Sequence, residues 1–219
     1  MQQKNIAILG STGSIGTQAV EIISSKPEFF KLTTLTANSS YEKLAEQVNI
    51  LKPNTVVLCD ENCEKDFLNL LKFRPENILF GTDALEQVTL EADYDILLNS
   101  LVGFSGFNST YKALKAGKTV ALANKESLVV GGELLCKLEG FKKGNLIPVD
   151  SEHSAMLQSL IGEQKSTIQK IIITASGGPF KNYTPDQLKI VTVKDALNHP
   201  NWDMGSKITI DSATMMNKG

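Results

Sequence analysis

The sequence predicts an α/β protein: a Rossmann-like, doubly wound parallel sheet over residues 1–149, followed over residues 150–219 by the incomplete start of an α/β catalytic domain. Three observations carry that expectation. From Ile6 to about Val149, short apolar runs alternate with longer stretches of helical spacing, the pattern of βαβ units whose strands are covered on both faces. A glycine-rich loop lies directly between the first apolar run and the first helical stretch, where nucleotide-binding sheets carry theirs. Beyond Val149 the alternation gives way to long stretches rich in Gly, Ser, Pro and Asn, a texture in which function tends to sit.

The elements follow in order. Ile6-Ala7-Ile8-Leu9 is short enough for a buried strand and too short for a helix. Ile15, Ala19, Ile22 and Ile23 then recur at helical spacing, Leu32 to Leu35 starts a second strand, and Leu44, Val48 and Leu51 mark the next helix. Thr55-Val56-Val57-Leu58, Ile78-Leu79-Phe80, Asp95 to Leu98 and Thr119-Val120-Ala121-Leu122 are further strands, with helices marked by Phe67, Leu70 and Leu71 and by Tyr111 and Leu114. Later, Ala155 to Ile161 reads as a helix and Ile171-Ile172-Ile173-Thr174 as a strand, and the pattern running into Gly219 looks helical and uncapped. The chain therefore reads as the front part of a longer protein.

Composition excludes several classes. The 219 residues carry 22 Lys+Arg against 24 Asp+Glu, a formal charge of −2, and Arg74 is the only arginine, so no arginine cluster grips a nucleic-acid backbone. The 3 cysteines, Cys59, Cys63 and Cys136, form no C-x-x-C, and with 2 histidines they supply neither a disulfide framework nor a zinc site. No stretch is long and apolar enough to span a bilayer, and the start lacks a signal-peptide pattern. A cytoplasmic protein with no membrane and no nucleic-acid partner is expected.

The loop Gly10-Ser11-Thr12-Gly13-Ser14-Ile15-Gly16 is the first candidate site. Glycines let the backbone turn tightly and approach a pyrophosphate, whose charge the exposed amides of a helix start then face. Ser11, Thr12 and Ser14 add hydroxyl donors. The alternative is an ordinary strand-to-helix turn. At the end of the second strand, where an NAD site places an acid on the ribose, stand Asn38, Ser39 and Ser40, and the first acid is Glu42. Without a carboxylate to repel a 2′-phosphate, NADP is favoured over NAD.

Asp150-Ser151-Glu152 places two carboxylates two residues apart, hard ligands that suit Mg²⁺ or Mn²⁺. A helix cap is the competing reading. Asn124, Lys125 and Glu126 follow the last parallel strand at the edge where open sheets bind ligands, so Asn124 and Glu126 are candidates toward the cofactor, and Lys125 is either a site residue or an ordinary surface lysine. A second glycine loop, Thr174 to Phe180 with Ser176, is either a plain turn or a phosphate holder, and His199-Pro200-Asn201-Trp202 holds one histidine and the only tryptophan in a polar stretch, where a flap competes with the commoner core tryptophan. Ser212, Asn217 and Lys218 offer a hydroxyl, an amide and a cation for a phosphate.

In order, Gly10 to Gly16, Ala123 to Val129, Pro148 to Ala155, Ala175 to Phe180, His199 to Trp202 and Lys207 to Gly219 resemble the motifs of the 1-deoxy-D-xylulose 5-phosphate reductoisomerase family. The resemblance covers the whole chain. It implies NADPH as cofactor, a phosphorylated ketose as substrate, a homodimer in the complete enzyme, and Asp150 and Glu152 on the divalent metal. It further implies that Lys125, Ser151 and Glu152 meet the substrate, that Ser176, Ser212, Asn217 and Lys218 hold its phosphate, and that His199 and Trp202 belong to a flap over it. Lys125, Asp150, Glu152 and His199 are the expected catalytic set.

Two departures follow. The family often carries Gly-Lys-Asn where this sequence has Asn38-Ser39-Ser40. The family pattern also continues past Gly219 to a Glu that is the third metal carboxylate, so this chain is expected to be inactive by itself. Other readings are an NADP-binding module without catalysis, in which Asp150 and Glu152 are caps, and a semialdehyde-dehydrogenase-like enzyme, which needs a cysteine nucleophile.

Overall fold

The apolar runs become strands β1 (Lys4–Leu9), β2 (Phe30–Ala37), β3 (Thr55–Leu58), β4 (Asn77–Phe80), β5 (Ile96–Asn99), β6 (Thr119–Leu122) and β7 (Leu146–Pro148). The computed structural model describes residues 2–202 and 204–218, and among them these strands form one sheet in the order β4-β3-β2-β1-β5-β6-β7. Every neighbouring pair is parallel. Between the strands run α1 (Ser14–Ser24), α2 (Tyr41–Leu51), α3 (Glu64–Leu70), α4 (Asp83–Glu91), α5 (Phe107–Lys115), α6 (Glu126–Leu135) and α7 (Glu139–Lys142).

Strand periodicity sorts the core into two layers. Ile6 and Ile8 of β1 join Leu35, Leu44, Val48, Val56 and Phe67 on one face, whereas Ala7 and Leu9 join Val88, Leu97, Leu114, Val120 and Leu135 on the other. Successive strand side chains point to opposite faces, so both need apolar cover. Such strands read as continuous apolar runs. The chain winds outward from β1 to β4, then returns to place β5 on the other side of β1. The crevice at the carboxyl ends of β1 and β5 is thus the switch point, where open α/β sheets bind ligands.

One ionic tie closes the opposite end of β1. Asn5 donates its backbone N–H to Asp95 Oδ2 at 2.8 Å, and Asp95 returns its own N–H to Asn5 O at 2.8 Å. That amide bond, helped by Lys4, holds the Asp95 carboxyl below its usual value. A depressed folded-state pKa contributes stability above the unfolded value, and that stability is lost as pH falls through the folded one. Asp95→Asn is therefore expected to lower the Tm at pH 7 and to match the unsubstituted protein once the pH has fallen below the depressed folded-state value. Thermal unfolding of both proteins at several pH values checks this.

The chain divides into two units, the first ending at Ser154 and the second beginning at Ala155. The division falls inside α8 (Ser151–Ser159), so Asp150 to Ser154 go with the sheet and not with the second region as the sequence reading had them. The second unit carries short α9 (Pro185–Leu188) and α10 (Val193–Ala196) and the longer α11 (Ser206–Thr214). Thr184 with Gln187, and Thr192 with Asp195, form capping boxes on the two short helices, each satisfying amides a helix start leaves open.

Three expectations are corrected. Ile171 to Thr174 forms no strand among the described residues: Ile171, Ile172 and Ile173 are 63%, 69% and 56% exposed, and a strand exists only by pairing. The helix read over Ala155 to Ile161 instead spans Ser151–Ser159. The C-terminal helix stops at Thr214, where Met215 turns left-handed at φ 61°. Among the described residues, no helix is long and apolar enough to cross a membrane.

Candidate functional site

The glycine loop opens at the carboxyl end of β1. Gly10 takes φ +83°, a left-handed conformation that L side chains rarely adopt, and Ser100 Oγ donates to Leu9 O at 2.6 Å just behind it. Gly16 lets α1 come down onto the loop: a Cβ there would lie 2.1 Å from Gly10 O. Thr17 N–H makes the first helical bond to Gly13 O at 2.9 Å, and α1 has no side-chain cap. Among the described residues, no backbone carbonyl takes the amides of Ser14 and Ile15. Exposed Gly13 and Ser14, half-buried Thr12 and these open amides form a cradle that fits a pyrophosphate.

Ser11 is a correction within this loop. It is fully buried, its N–H donates to Thr36 O at 2.8 Å, and its hydroxyl donates to Gln47 Oε1 at 2.7 Å. Gln47 Nε2 returns a bond to Ser11 O at 2.9 Å. Neither donor of Ser11 faces a ligand; the residue ties the loop to α2. Gln47 is a residue the sequence alone did not single out, since no motif marks a lone glutamine on a helix. Lys43, one turn earlier, was not singled out either, and its ammonium reaches Thr12 O at 3.0 Å.

At the end of β2, Asn38, Ser39 and Ser40 are all exposed, and Ser40 precedes α2 without making a side-chain cap. No acid lies among them.

The end of β6 carries the next group. Asn124 is buried, donating through Nδ2 to Leu101 O and Gly103 O at 2.8 Å each and accepting at Oδ1 from Ser127 N–H and hydroxyl. Its amide is wholly engaged inside the fold, which fixes the turn that presents Lys125 and half-buried Glu126. Lys125 Nζ donates to Asp150 Oδ2 at 2.5 Å, with only 9% of the Asp150 side chain exposed. Burial pushes the Asp150 carboxyl up, but the Lys125 hydrogen bond and charge outweigh it and hold it below its usual value.

Asp150 also accepts at Oδ1 from His153 N–H at 3.4 Å, at the start of α8. One oxygen of this carboxylate thus caps α8 weakly, and the other meets the Lys125 ammonium. Half-buried Glu152 stands two residues on and accepts from the Ser151 hydroxyl at 3.2 Å. Among the described residues, no group of three or more His, Cys, Asp or Glu is placed to hold a metal ion. Two hard carboxylates still fit Mg²⁺ or Mn²⁺, since Mg²⁺ is commonly held by one or two carboxylates with substrate and water completing the shell.

The second unit assembles its own cluster. Gly177 and Gly178 take φ +87° and +62°, and the turn packs so closely on α11 that a Cβ on Gly178 would lie 2.7 Å from Ser212 O. Ser176 Oγ thereby comes within 3.3 Å of Ser212 Oγ and 3.2 Å of His199 Nε2. His199 Nδ1 accepts the backbone N–H groups of Asn201 and Trp202, both at 3.2 Å. Nδ1 is thus an acceptor, the proton sits on Nε2, and the imidazole donates to Ser176 rather than taking its proton.

Trp202 is 58% exposed and stacks on His199 with centroids 5.1 Å apart and planes 12° from parallel. This places it on the surface and not in a core. Asn217 Oδ1 is buried without a hydrogen-bond partner among the described residues. An amide turned over presents its NH₂ donors at the same spot, so Asn217 fits an anionic ligand. Lys218 follows it at the described end of the chain.

Cys59 does not offer the nucleophile that a semialdehyde-dehydrogenase-like enzyme needs. Burial pushes the Cys59 thiol up to about 11, which keeps it protonated and unreactive at neutral pH.

Residues 6–132 match the family described as 1-deoxy-D-xylulose 5-phosphate reductoisomerase, and residues 146–219 match that enzyme's C-terminal domain. The chain is 51% identical over 216 residues to the 1-deoxy-D-xylulose 5-phosphate reductoisomerase of Chloroherpeton thalassium, covering 99% of this chain and 56% of that protein. It is 48% identical over 219 residues to the enzyme of Bacteroides fragilis, with 100% and 56% covered. Among solved structures, the Zymomonas mobilis enzyme in complex with NADPH superposes with a TM-score of 0.85 at 36% identity, over 99% of this chain and 56% of that one. A reductoisomerase in complex with NADPH, fosmidomycin and magnesium gives 0.85 at 37% identity, over 98% and 55%. The chain thus spans about half the length of the relatives it matches. The matched motifs run the length of the sheet and continue through the second unit, and the chain belongs to the 1-deoxy-D-xylulose 5-phosphate reductoisomerase family.

Proposed function

We propose that this chain binds NADPH, a divalent cation and a ketose phosphate for the conversion of 1-deoxy-D-xylulose 5-phosphate to 2-C-methyl-D-erythritol 4-phosphate. The observation that carries the reading is the pairing of Lys125 with Asp150, beside Glu152, on the same sheet whose first loop presents open helix amides. Family relatives solved with NADPH and magnesium support it.

The overall change joins the ketose phosphate, NADPH and one proton to give the branched polyol phosphate and NADP⁺. When bound, NADPH supplies the hydride, and Mg²⁺ or Mn²⁺ supplies Lewis acidity to the ketose carbonyl and its neighbouring hydroxyl. Asp150 and Glu152 hold that cation. Lys125, positive beside Asp150, donates toward a substrate oxygen as negative charge grows on it, and Ser151 orients the same end of the substrate. Ser176, Ser212, Asn217 and Lys218 anchor the phosphate. His199 is a positioning residue for Ser176: with its Nε2 proton on the serine oxygen, it leaves the serine hydrogen free to turn to a phosphate oxygen. Trp202, stacked on His199, excludes water from that side. Gly10, Thr12, Gly13, Ser14, Ile15 and Gly16 receive the pyrophosphate, with Asn38, Ser39 and Ser40 at the ribose and Glu126 at the nicotinamide end, where buried Asn124 holds the turn rather than touching the cofactor. We infer also that the complete enzyme is a cytoplasmic homodimer, a setting with which three thiols outside any disulfide agree.

Calorimetric titration of the chain with NADPH and NADH tests the cofactor assignment: tighter binding of NADPH is expected, and equal affinities or a preference for NADH overturn it. In the complete protein, NADPH oxidation driven by the ketose phosphate is expected to stop on chelation of divalent cations. Turnover indifferent to chelation would return Asp150 and Glu152 to helix capping alone.

A further inference from the structure

We propose that Lys43, in the first turn of α2, is the specificity-determining cation that selects a 2′-phosphorylated dinucleotide. The proposal rests on reading the glycine loop as a dinucleotide site. Sequence comparison alone leaves a gap there, because Asn38-Ser39-Ser40 holds no cation at the end of β2. The structure supplies one from the next element. Lys43 Nζ lies 3.0 Å from Thr12 O and 3.0 Å from Thr17 Oγ1, so the side chain is drawn across to the glycine loop instead of extending into water.

Both acceptors are neutral. Among the described residues no carboxylate forms an ion pair with Lys43, and its neighbour Glu42 interacts with the Tyr41 hydroxyl instead. An ammonium has three N–H donors, and two are engaged here, which leaves one donor and an uncompensated positive charge. That charge stands between the first turns of α1 and α2, whose positive ends add to it. In sheets of this kind the ribose 2′ position is read at the end of the second strand, and Lys43 is three residues past Ser40. A 2′-phosphate adds charge at that place; a 2′-hydroxyl does not.

The test is calorimetric titration of the protein, Lys43→Ala and Lys43→Arg with NADPH and with NADH. Loss of one charge-assisted hydrogen bond predicts about a 10- to 100-fold weaker Kd for NADPH in Lys43→Ala, with NADH weakened less than about threefold and Lys43→Arg keeping the preference. Raising salt is expected to erode the preference of the unsubstituted protein and to leave that of Lys43→Ala unchanged. Lys43→Gln, which keeps the length of the side chain, serves where Lys43→Ala unfolds. Equal weakening of both nucleotides would show that Lys43 only braces the loop, and an unaltered preference would show that it reads nothing; either overturns the proposal while leaving the dinucleotide site standing. Failure of the unsubstituted protein to bind both nucleotides would overturn that site and the proposal together.

Discussion

Gly16→Ala is expected to destabilise the protein and to remove dinucleotide binding together. An added Cβ would lie 2.1 Å from Gly10 O and 2.7 Å from Ser11 Cα, both backbone atoms. Neither can swing aside as a long side chain would, so α1 must move off the loop, at a cost of about 1–3 kcal/mol or more. The open amides of Ser14 and Ile15 move with it. Two misdirected bonds to an anionic group weaken binding by about 3–6 kcal/mol, on the order of 10²- to 10⁴-fold. Gly13→Ala separates the two effects, because its φ of −73° suits any residue and its Cβ would meet only Gly10 O at 3.4 Å. It should keep its Tm within about 1 kcal/mol equivalent and lose affinity only through crowding at the exposed mouth. Thermal unfolding and NADPH titration of both variants decide it; a Gly16→Ala protein that binds normally would mean the helix start does not hold the pyrophosphate.

Asp150→Asn has the second large effect, and on a different ligand. The substitution keeps the shape and the possible acceptor for His153, but leaves Lys125, whose side chain is 25% exposed, without its charge partner. The expected stability cost is about 1–3 kcal/mol, less than for a fully buried pair. Loss of one of two carboxylates on a hard cation is expected to lower turnover of the complete enzyme at least about 100-fold, beyond what disturbing an outer-shell partner does. NADPH affinity should change little, since Asp150 stands at the end of β7 and the cradle stands at the end of β1. Cation titration, NADPH titration and thermal unfolding on one preparation distinguish the outcomes. Full turnover with a lowered Tm would make Asp150 a structural residue alone.

Much of the sheet was legible because parallel strands buried on both faces leave little room for polar residues: Val56, Val57 and Leu58 are fully buried in sequence. The same rule hid β7, which has three residues, one of them Ile147 at 42% exposure and one a proline. Helix α6 was hidden by Gly131 and Gly132 and by Val129 and Val130, which are 80% and 60% exposed and break the apolar stripe. Gly131 is there because the Phe107 ring fills the place of its Cβ, with Cε2 at 2.0 Å, a contact between residues far apart in the chain. At the site, residue types announced the carboxylates, the glycine turns and the hydroxyls of Ser176 and Ser212. Direction was not announced: a serine hydroxyl turned inward to Gln47 and a lysine turned across to Thr12 look, as letters, like any others.

The proline that ends β7 has a consequence for how the sheet meets other molecules. Val149 donates its N–H to Leu122 O at 2.9 Å, toward β6. Backbone donors alternate in direction along a strand, so the nitrogen of Pro148, one residue earlier, faces away from β6 and toward the open flank. A proline nitrogen carries no hydrogen to offer an incoming strand. The last rung of the ladder is therefore blunted on the side where an extended peptide or a second copy would dock, which protects an exposed margin from edge-to-edge aggregation. The chain then turns at once into Asp150 and α8, and a side chain that halts growth of the sheet also delivers the backbone to its carboxylates.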